Sequence, residues 1–383
     1  MKVLINGLSV KKKAGGVFQI STNFIQATLS SKEIEWYYLV SSDLDKSLPT
    51  CFQNKLNITY FVMPTQPDFF GSYFNVRKKV SDIENTIKPD LVYSLAAPSY
   101  FNFKATEVMR FTNPWVTHPN KYAHGVLNYK EKIVKYLYCA NQKRLMKKCD
   151  YFITQSNTAK EGIRGITKLP LENIKVVPNV LPAYFNSLPE IKCKSPDLNL
   201  MIACVCAPHA NKNVQIIPLV IKILKEKYGI TNVTFNITIP YDHPFLLKFN
   251  KSVEKYLVSD QINNWGYCSQ DKLVELYSAS NIFFLPTLLE TFSASLLEAM
   301  FFKLNVVTTD FLFNRGVCQD SAVYCKPADA EDAAEKLSEL ILNNSYKNKS
   351  SQDIPSVLAH FSDYSKHAAS IEKFFKSIMN NKL

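Results

Sequence analysis

"LNLMIACVCAPHANKNVQIIPLVIKILKEKY", residues 198–228, reads as a strand, a loop and a helix in succession. Its first nine residues are almost continuously apolar, which suits a strand buried on both faces of a parallel sheet. "APHANKNVQ" (207–215) is polar and turn-like, and from about 213 apolar residues recur at helical spacing. The same order already occurs at the start of the chain. "KVLINGL" (2–8) reads as a strand, "KKKAGG" (11–16) as a turn, and 17–30 has helical periodicity. A strand–turn–helix unit that begins twice predicts two αβ halves.

Other segments keep the rhythm. "EWYYLV" (35–40), "ITYFVM" (58–63), "KPDLVYSL" (88–95), "EVMRF" (107–111) and "DYFITQS" (150–156) read as strands, with a helix at about 72–88. In the second half "NVTFNITI" (232–239), "NIFFLP" (281–286) and "NVVTTD" (305–310) are strands. Helices are expected at 271–280, 293–302, 330–344 and 364–379. Strands alternating with helices predict parallel sheets covered on both faces. "KVVPNVLPAYFNSLPEIKCKSPD" (175–197) holds four prolines and reads as the linker. The expected fold class is α/β, with two Rossmann-like doubly wound domains facing across a cleft. We place the domains at 1–180 and 181–363, with the terminal helix 364–383 packing back on the first.

Composition narrows the partners. The 383 residues are 46% hydrophobic and 20% charged, the balance of a globular chain. A net charge of +12 favours an anionic partner: nucleic acid, an acidic membrane or a phosphorylated substrate. The nine cysteines show no CxxC spacing and read as free thiols of a reducing compartment. No signal peptide is recognisable, and no apolar run approaches the ~20 residues that cross a bilayer. We therefore expect a cytoplasmic protein, peripheral at the cytosolic membrane face. "YKEKIVKYLYCANQKRLMKKC" (129–149) supports that surface, with seven Lys/Arg, one Glu and Ile133, Val134, Leu137, Tyr138 and Leu145 interleaved. A core helix with a solvated basic side fits the same pattern. Nucleic acid is disfavoured, since no recognised motif accompanies the charge.

"LPTLLETFSASLLEAM" (285–300) follows a strand and carries Glu290 and Glu298. Two readings stand. If Ser295 is the N-cap, Ser295 to Glu298 is a capping box. Alternatively Ser293, Ala294 and Ser295 let a phosphate approach a helix N-terminus, and the carboxylates accept from sugar hydroxyls on either side of a diphosphate. Lys212, on the loop after the first strand of this half, stands where a bound anion would offset its charge at a helix start. His209 lies three residues before it. Gly15 and Gly16 permit close backbone approach, and no GxGxxG is present. "DLD" (43–45) reads as a solvated turn, and no cluster has metal-ligand spacing. "RFTNPWVTHPNKYAHG" (110–125) reads as a loop lining the cleft, with His118 and His124 as candidate contacts.

With these segments in place the chain resembles the glycosyltransferases of family 4, whose fold is GT-B. "PTLLETFSASLLEAM" resembles the family's E-x7-E element with Glu290 and Glu298 in register, and "APHANKN" its lysine-containing loop. "DYFITQSNTAKEGI" (150–163) and "VVPNV" (176–180) resemble the end of the acceptor domain. The resemblance implies a retaining hexosyltransferase. It would move a sugar from a nucleoside-diphosphate donor to a saccharide or lipid-linked saccharide, in cell-surface polysaccharide or glycolipid assembly. Catalysis is assigned to Glu290, Lys212 and His118. Donor binding is assigned to Gly15, Gly16, His209, Lys212, Glu290, Thr291, Phe292, Ser293, Ala294, Ser295 and Glu298. Asn113, His118 and His124 would meet the acceptor. No metal or other cofactor is expected, the nucleotide sugar being a substrate. The family's arginine before the lysine is missing in "CVCAPHAN", its Gly-Phe-Gly is Thr291-Phe292-Ser293 here, and Thr112-Asn113 stands where many members have a histidine. A nucleotide-sugar epimerase and a silent membrane-binding scaffold are the alternatives.

Overall fold

A computed structural model describes residues 1–10, 16–29, 31, 33–48, 59–63, 72–181, 184–185, 188, 199–343, 354–361 and 364–380, with the side chains of 72–75 left aside. Gly15 and, within the linker 175–197, residues 182–183, 186–187 and 189–197 lie outside the described residues.

Two wholly parallel sheets form. The first joins β1 (Lys2–Gly7), β2 (Glu35–Ser41), β3 (Thr59–Met63), β4 (Leu91–Ser94), β5 (Thr106–Arg110), β6 (Tyr151–Thr154) and β7 (Ile174–Val176) in the order β3-β2-β1-β4-β5-β6-β7. The second joins β8 (Leu200–Cys204), β9 (Val233–Ile237), β10 (Ile262–Asn264), β11 (Ile282–Leu285), β12 (Asn305–Thr309) and β13 (Ala322–Cys325) in the order β10-β9-β8-β11-β12-β13. In each, strand order reverses beside the first strand, between β1 and β4 and between β8 and β11. Ligands of open α/β sheets bind at the carboxyl ends of strands flanking such a point.

The alternation of side chains along each central strand builds the cores. Val3 and Ile5 of β1 enter one apolar cluster, and Leu4 enters the cluster on the opposite face. On β8, Ile202 and Cys204 point to one cluster and Ala203 to the other. Both faces of each sheet are thus buried, which explains why these strands read as continuous apolar runs.

The chain divides into two compact units. One comprises Met1–His118, Val134–Val180 and Asp363–Leu383, and the other Pro119–Ile133 and Leu181–Ser362. The Tyr364–Asn380 helix places Ala368, Ile371, Phe374, Phe375 and Ile378, at spacings of three and four, in the core of the first unit. Phe375 meets Tyr93 edge-on at 5.1 Å. Residues 119–133 are the departure from the sequence reading, which gave everything up to 180 to the first domain. Asn120 donates through Nδ2 to the Leu288 carbonyl at 2.8 Å, and the Tyr122 ring meets Phe311 at 6.0 Å.

Two further corrections concern local structure. Asp43 and Asp45 lie in a helical turn, Ser42–Asp45, capped by Ser41, and Asp45 accepts from the Tyr60 hydroxyl at 2.6 Å. "DLD" is therefore structural rather than a free polar loop. The helix Tyr129–Met146 buries Cys139, Gln142 and Met146, while Ile133, Val134, Leu137 and Tyr138 are exposed. These four residues do not lie on its buried face.

Candidate functional site

Lys212 and Glu290 meet at the switch point of the second sheet. β8 ends at Cys204, and the chain turns through two short 3-10 turns, Ala210–Lys212 and Val214–Ile216, before the helix Ile217–Tyr228. β11 ends at Leu285, and Glu290 follows five residues on. The Lys212 ammonium donates to Glu290 Oε1, and both side chains are largely buried. Burial opposes the lysine charge. The Glu290 carboxylate, helped by the Cys206 and Cys204 thiols, outweighs it and leaves the Lys212 pKa above the ordinary lysine value. The sequence argument that a cation here calls for a bound anion thus meets a correction, since Glu290 already supplies the anion.

Asn211 ties the two loops together. Its carbonyl accepts from the Leu288 amide at 2.7 Å and from the Thr287 hydroxyl at 3.2 Å, while its Nδ2 donates to the Leu289 carbonyl at 2.7 Å. The Thr287 hydroxyl also lies 3.3 Å from Glu290 Oε1. Asn213 adopts the left-handed conformation, φ 55°, that an asparagine tolerates, and so redirects the chain into the next helix. Asn211 and Thr287 were not singled out by the sequence. Only their positions beside Lys212 and Glu290 marked them.

Glu298 is settled by the position of its helix. The helix runs Ala294–Phe301 with Ser293 at the N-cap, and Ser293 makes no capping bond to the backbone through its side chain. Glu298 is then the fifth helical residue, beyond the reach of a capping box, which needs the third. The residue is 9% exposed, and its carboxylate accepts from the Tyr277 hydroxyl at 2.8 Å through Oε2. Burial raises the Glu298 pKa above the usual carboxylate range, and the Tyr277 bond works against that rise. Tyr277 lies on the helix Gln270–Ala279 and stacks on Phe302 at 5.2 Å, so its hydroxyl is held in place.

The remaining assigned residues are distributed as follows. Thr291 and Ser293 are buried, Ser293 and Ser295 share a hydroxyl contact at 3.2 Å, and Ala294 opens the helix. Phe292 belongs to the core, edge-on to Phe361 at 5.7 Å. His209 is exposed and opens the 3-10 turn, its carbonyl accepting from the Lys212 amide at 2.8 Å. In the first unit Gly16 begins the helix Gly16–Thr28 and is exposed. Asn113 caps the short helix Pro114–Thr117, accepting from the Trp115 amide at 3.1 Å and donating to Gln142 Oε1 at 2.8 Å. His118 ends that helix with Nδ1 2.7 Å from the Thr117 hydroxyl. His124 is an exposed residue of the helix Lys121–Gly125, in the segment grouped with the second unit. Among the described residues no three His, Cys, Asp or Glu side chains gather where they could hold a metal ion.

The second-half geometry coincides with a family match. Residues 195–355 match the family model of glycosyl transferases group 1. No curated protein sequence matches the chain. Solved structures share its fold over nearly the whole length. A glycosyltransferase from Rickettsia africae superposes with a TM-score of 0.71 at 16% identity, covering 99% of this chain and 98% of the other. Anabaena HepE, crystallised with UDP and glucose, gives 0.68 at 13% identity over 98% and 100%. Sucrose-phosphate synthase from Thermosynechococcus elongatus gives 0.69 at 13% identity over 99% of each. The fold is GT-B, with two Rossmann-like domains.

Proposed function

We propose that the protein is a retaining glycosyltransferase of family 4 that takes a sugar from a nucleoside-diphosphate donor. The acceptor is a saccharide or lipid-linked saccharide, in cell-surface polysaccharide or glycolipid assembly. The reaction runs in the cytoplasm, at the membrane's cytosolic face. The observation that supports this most is the Lys212–Glu290 pair at the carboxyl ends of β8 and β11, inside the matched glycosyltransferase domain. HepE, of the same fold, was crystallised with UDP-glucose, which agrees with a uridine diphosphate donor class.

The roles follow from charge and position. The Glu298 carboxylate, oriented by Tyr277, accepts from the ribose hydroxyls. Glu290 holds a hydroxyl of the donor sugar. Lys212 exchanges part of its contact with Glu290 for the diphosphate and stabilises the charge that grows as the sugar leaves. The amides of Ala294 and Ser295, at the helix start, and the His209 side chain take the phosphates. Asn113, His118 and His124 are assigned to the acceptor and the reacting sugar, and Gly15 and Gly16 to the donor phosphates. This chemistry uses no metal, because an ammonium and helix amides neutralise the leaving group.

A thermal-shift panel of nucleoside-diphosphate sugars tests the reading, since a bound ligand stabilises by mass action. One donor is expected to raise the melting temperature of the parent, less so for Glu298→Ala. Lys212→Ala is expected to slow transfer to an oligosaccharide acceptor. If no nucleotide sugar shifts the parent, the reading is wrong. Isomerised sugar nucleotide formed from donor alone would make the protein an epimerase instead.

A further inference from the structure

The helix Tyr129–Met146 turns its large apolar side chains outward. Tyr129 is 79% exposed, Val134 66%, Tyr136 73% and Leu137 62%, and Ile133 lies with them. Residues 129, 133, 136 and 137 are spaced by three and four and share one face of the helix. The opposite face, with Cys139, Gln142 and Met146, is the buried one. Of the exposed large hydrophobic residues among those described, six fall between Tyr129 and Tyr138. The surface is therefore a contiguous patch rather than scattered side chains, and such patches mark interaction sites.

The charges on the helix select the partner. Residues 129–149 hold seven Lys/Arg and one Glu. Arg144, Lys147 and Lys148 are exposed and continue the outward face beyond the apolar stripe, with Lys130 beside it. A second copy of the chain meeting this face would bring a like set of cations against it. An anionic bilayer offers what both parts need: acidic headgroups for the cations and an acyl boundary for Leu137, Val134 and Ile133. Tyrosines favour the level between the two, with ring inward and hydroxyl in water. Among the described residues no helix is long and apolar enough to cross a membrane, so the contact is lateral.

We infer that the outward face of the Tyr129–Met146 helix lies in the interface of an anionic phospholipid bilayer, with Tyr129, Ile133, Val134, Tyr136 and Leu137 immersed and Arg144, Lys147 and Lys148 on the headgroups. Apolar burial and charge act together here, as in interfacial amphipathic helices. Each headgroup-facing cation strengthens binding about fivefold, and a buried leucine about tenfold or more.

Co-sedimentation of the full chain with vesicles tests this, using phosphatidylcholine alone and phosphatidylcholine mixed with phosphatidylglycerol. The parent is expected to bind the mixed vesicles and not the neutral ones, more weakly as salt rises. Leu137→Glu and the double variant Arg144→Glu, Lys147→Glu are each expected to lose binding at least tenfold. All three positions are on the surface, and unchanged melting curves verify folding. Equal binding to neutral vesicles, or binding unaffected by either variant, overturns the inference. So does a parent that ignores vesicles but runs as a dimer dissociated by Leu137→Glu. The measurement uses no donor, and Glu298→Ala keeps vesicle binding. The inference rests on the membrane location proposed above; failure here removes that location and leaves the transfer chemistry standing, and the reverse holds too.

Discussion

The Tyr277 hydroxyl donates to Glu298 Oε2 at 2.8 Å, and this bond keeps a buried carboxylate oriented with its other oxygen unclaimed by Tyr277. Burial lifts the Glu298 pKa above its ordinary 4.5, so its ionised form is opposed in the folded chain. The sign follows. Stability is fully present below pH 4.5 and is lost as pH rises through the folded value. Glu298→Gln is therefore expected to melt higher than the parent at pH 7, with the gap closing toward pH 4. About 1 kcal/mol corresponds to roughly 2–4 °C in a unit of this size. The same variant is expected to bind donor roughly tenfold more weakly, a charge-assisted bond becoming a neutral one. Tyr277→Phe removes the bond that lowers the Glu298 pKa. Its donor binding is expected to fall off at higher pH on the acid side than the parent's. Tyr184 and Cys206 also face Tyr277, and neither changes in this variant. Calorimetric titration across pH reads the outcome, and an unmoved profile would remove Tyr277 from the site.

Lys212 and Glu290 form a largely buried pair, so each single replacement strands a charge. Lys212→Met and Glu290→Gln are each expected to lose roughly 1–3 kcal/mol of stability. The double variant is expected to lose less than their sum, because no lone charge is left. Denaturant titration of the four proteins closes the cycle. Additive losses would show that the pair is not energetically coupled.

His367 is buried in the first unit, and burial together with the Arg110 charge pulls its pKa from 6.5 down to about 3. The folded chain keeps it neutral where the unfolded chain protonates it. Stability is therefore lost as pH falls from about 6.5 toward 3, by at most about 1.4 kcal/mol per pH unit. His367→Met is expected to flatten that acid limb while leaving vesicle binding in place. Arg110 lies beneath the same helix, donating to Asn179 Oδ1 at 3.0 Å, an oxygen that also takes Gln155 Nε2 at 2.6 Å.

Gly162, in the helix Asn157–Thr167, fits against the turn that precedes His118. A Cβ built there would stand 2.1 Å from the Thr117 carbonyl oxygen. Gly162→Ala is expected to push the Pro114–Thr117 turn away and cost about 1–3 kcal/mol, as overpacking does. Transfer should fall more than donor binding does, because the displaced turn carries an acceptor candidate, whereas Lys212, Glu290 and Glu298 belong to the second unit. Equal losses in both would argue against His118.

The two parallel sheets were legible because their central strands, buried on both faces, are long apolar runs. β7 and β10 were missed, being three-residue edge strands too short to show any periodicity. Four-residue β13 and the polar helix Phe245–Tyr256 were missed as well. Within the site, Glu290, Glu298 and Lys212 carried their own signal through charge next to a strand end. Tyr277 did not, since "DKLVELYSAS" gives a tyrosine on a helix and nothing to say that its hydroxyl meets a carboxylate 21 positions later. The outward apolar face of Tyr129–Met146 was ambiguous for a similar reason. Helical spacing shows that residues share a face, but not whether that face meets a core or solvent.

The Tyr364–Asn380 helix completes the first unit's core, yet it is synthesised after all of the second. The ribosome therefore releases the later unit in a foldable state before the earlier one. Until residues 364–380 emerge, the face formed by Phe24, Tyr93 and Val108 lacks its cover. Maturation of the chain is thus inverted relative to its order of synthesis: the sheet made first is the one completed last.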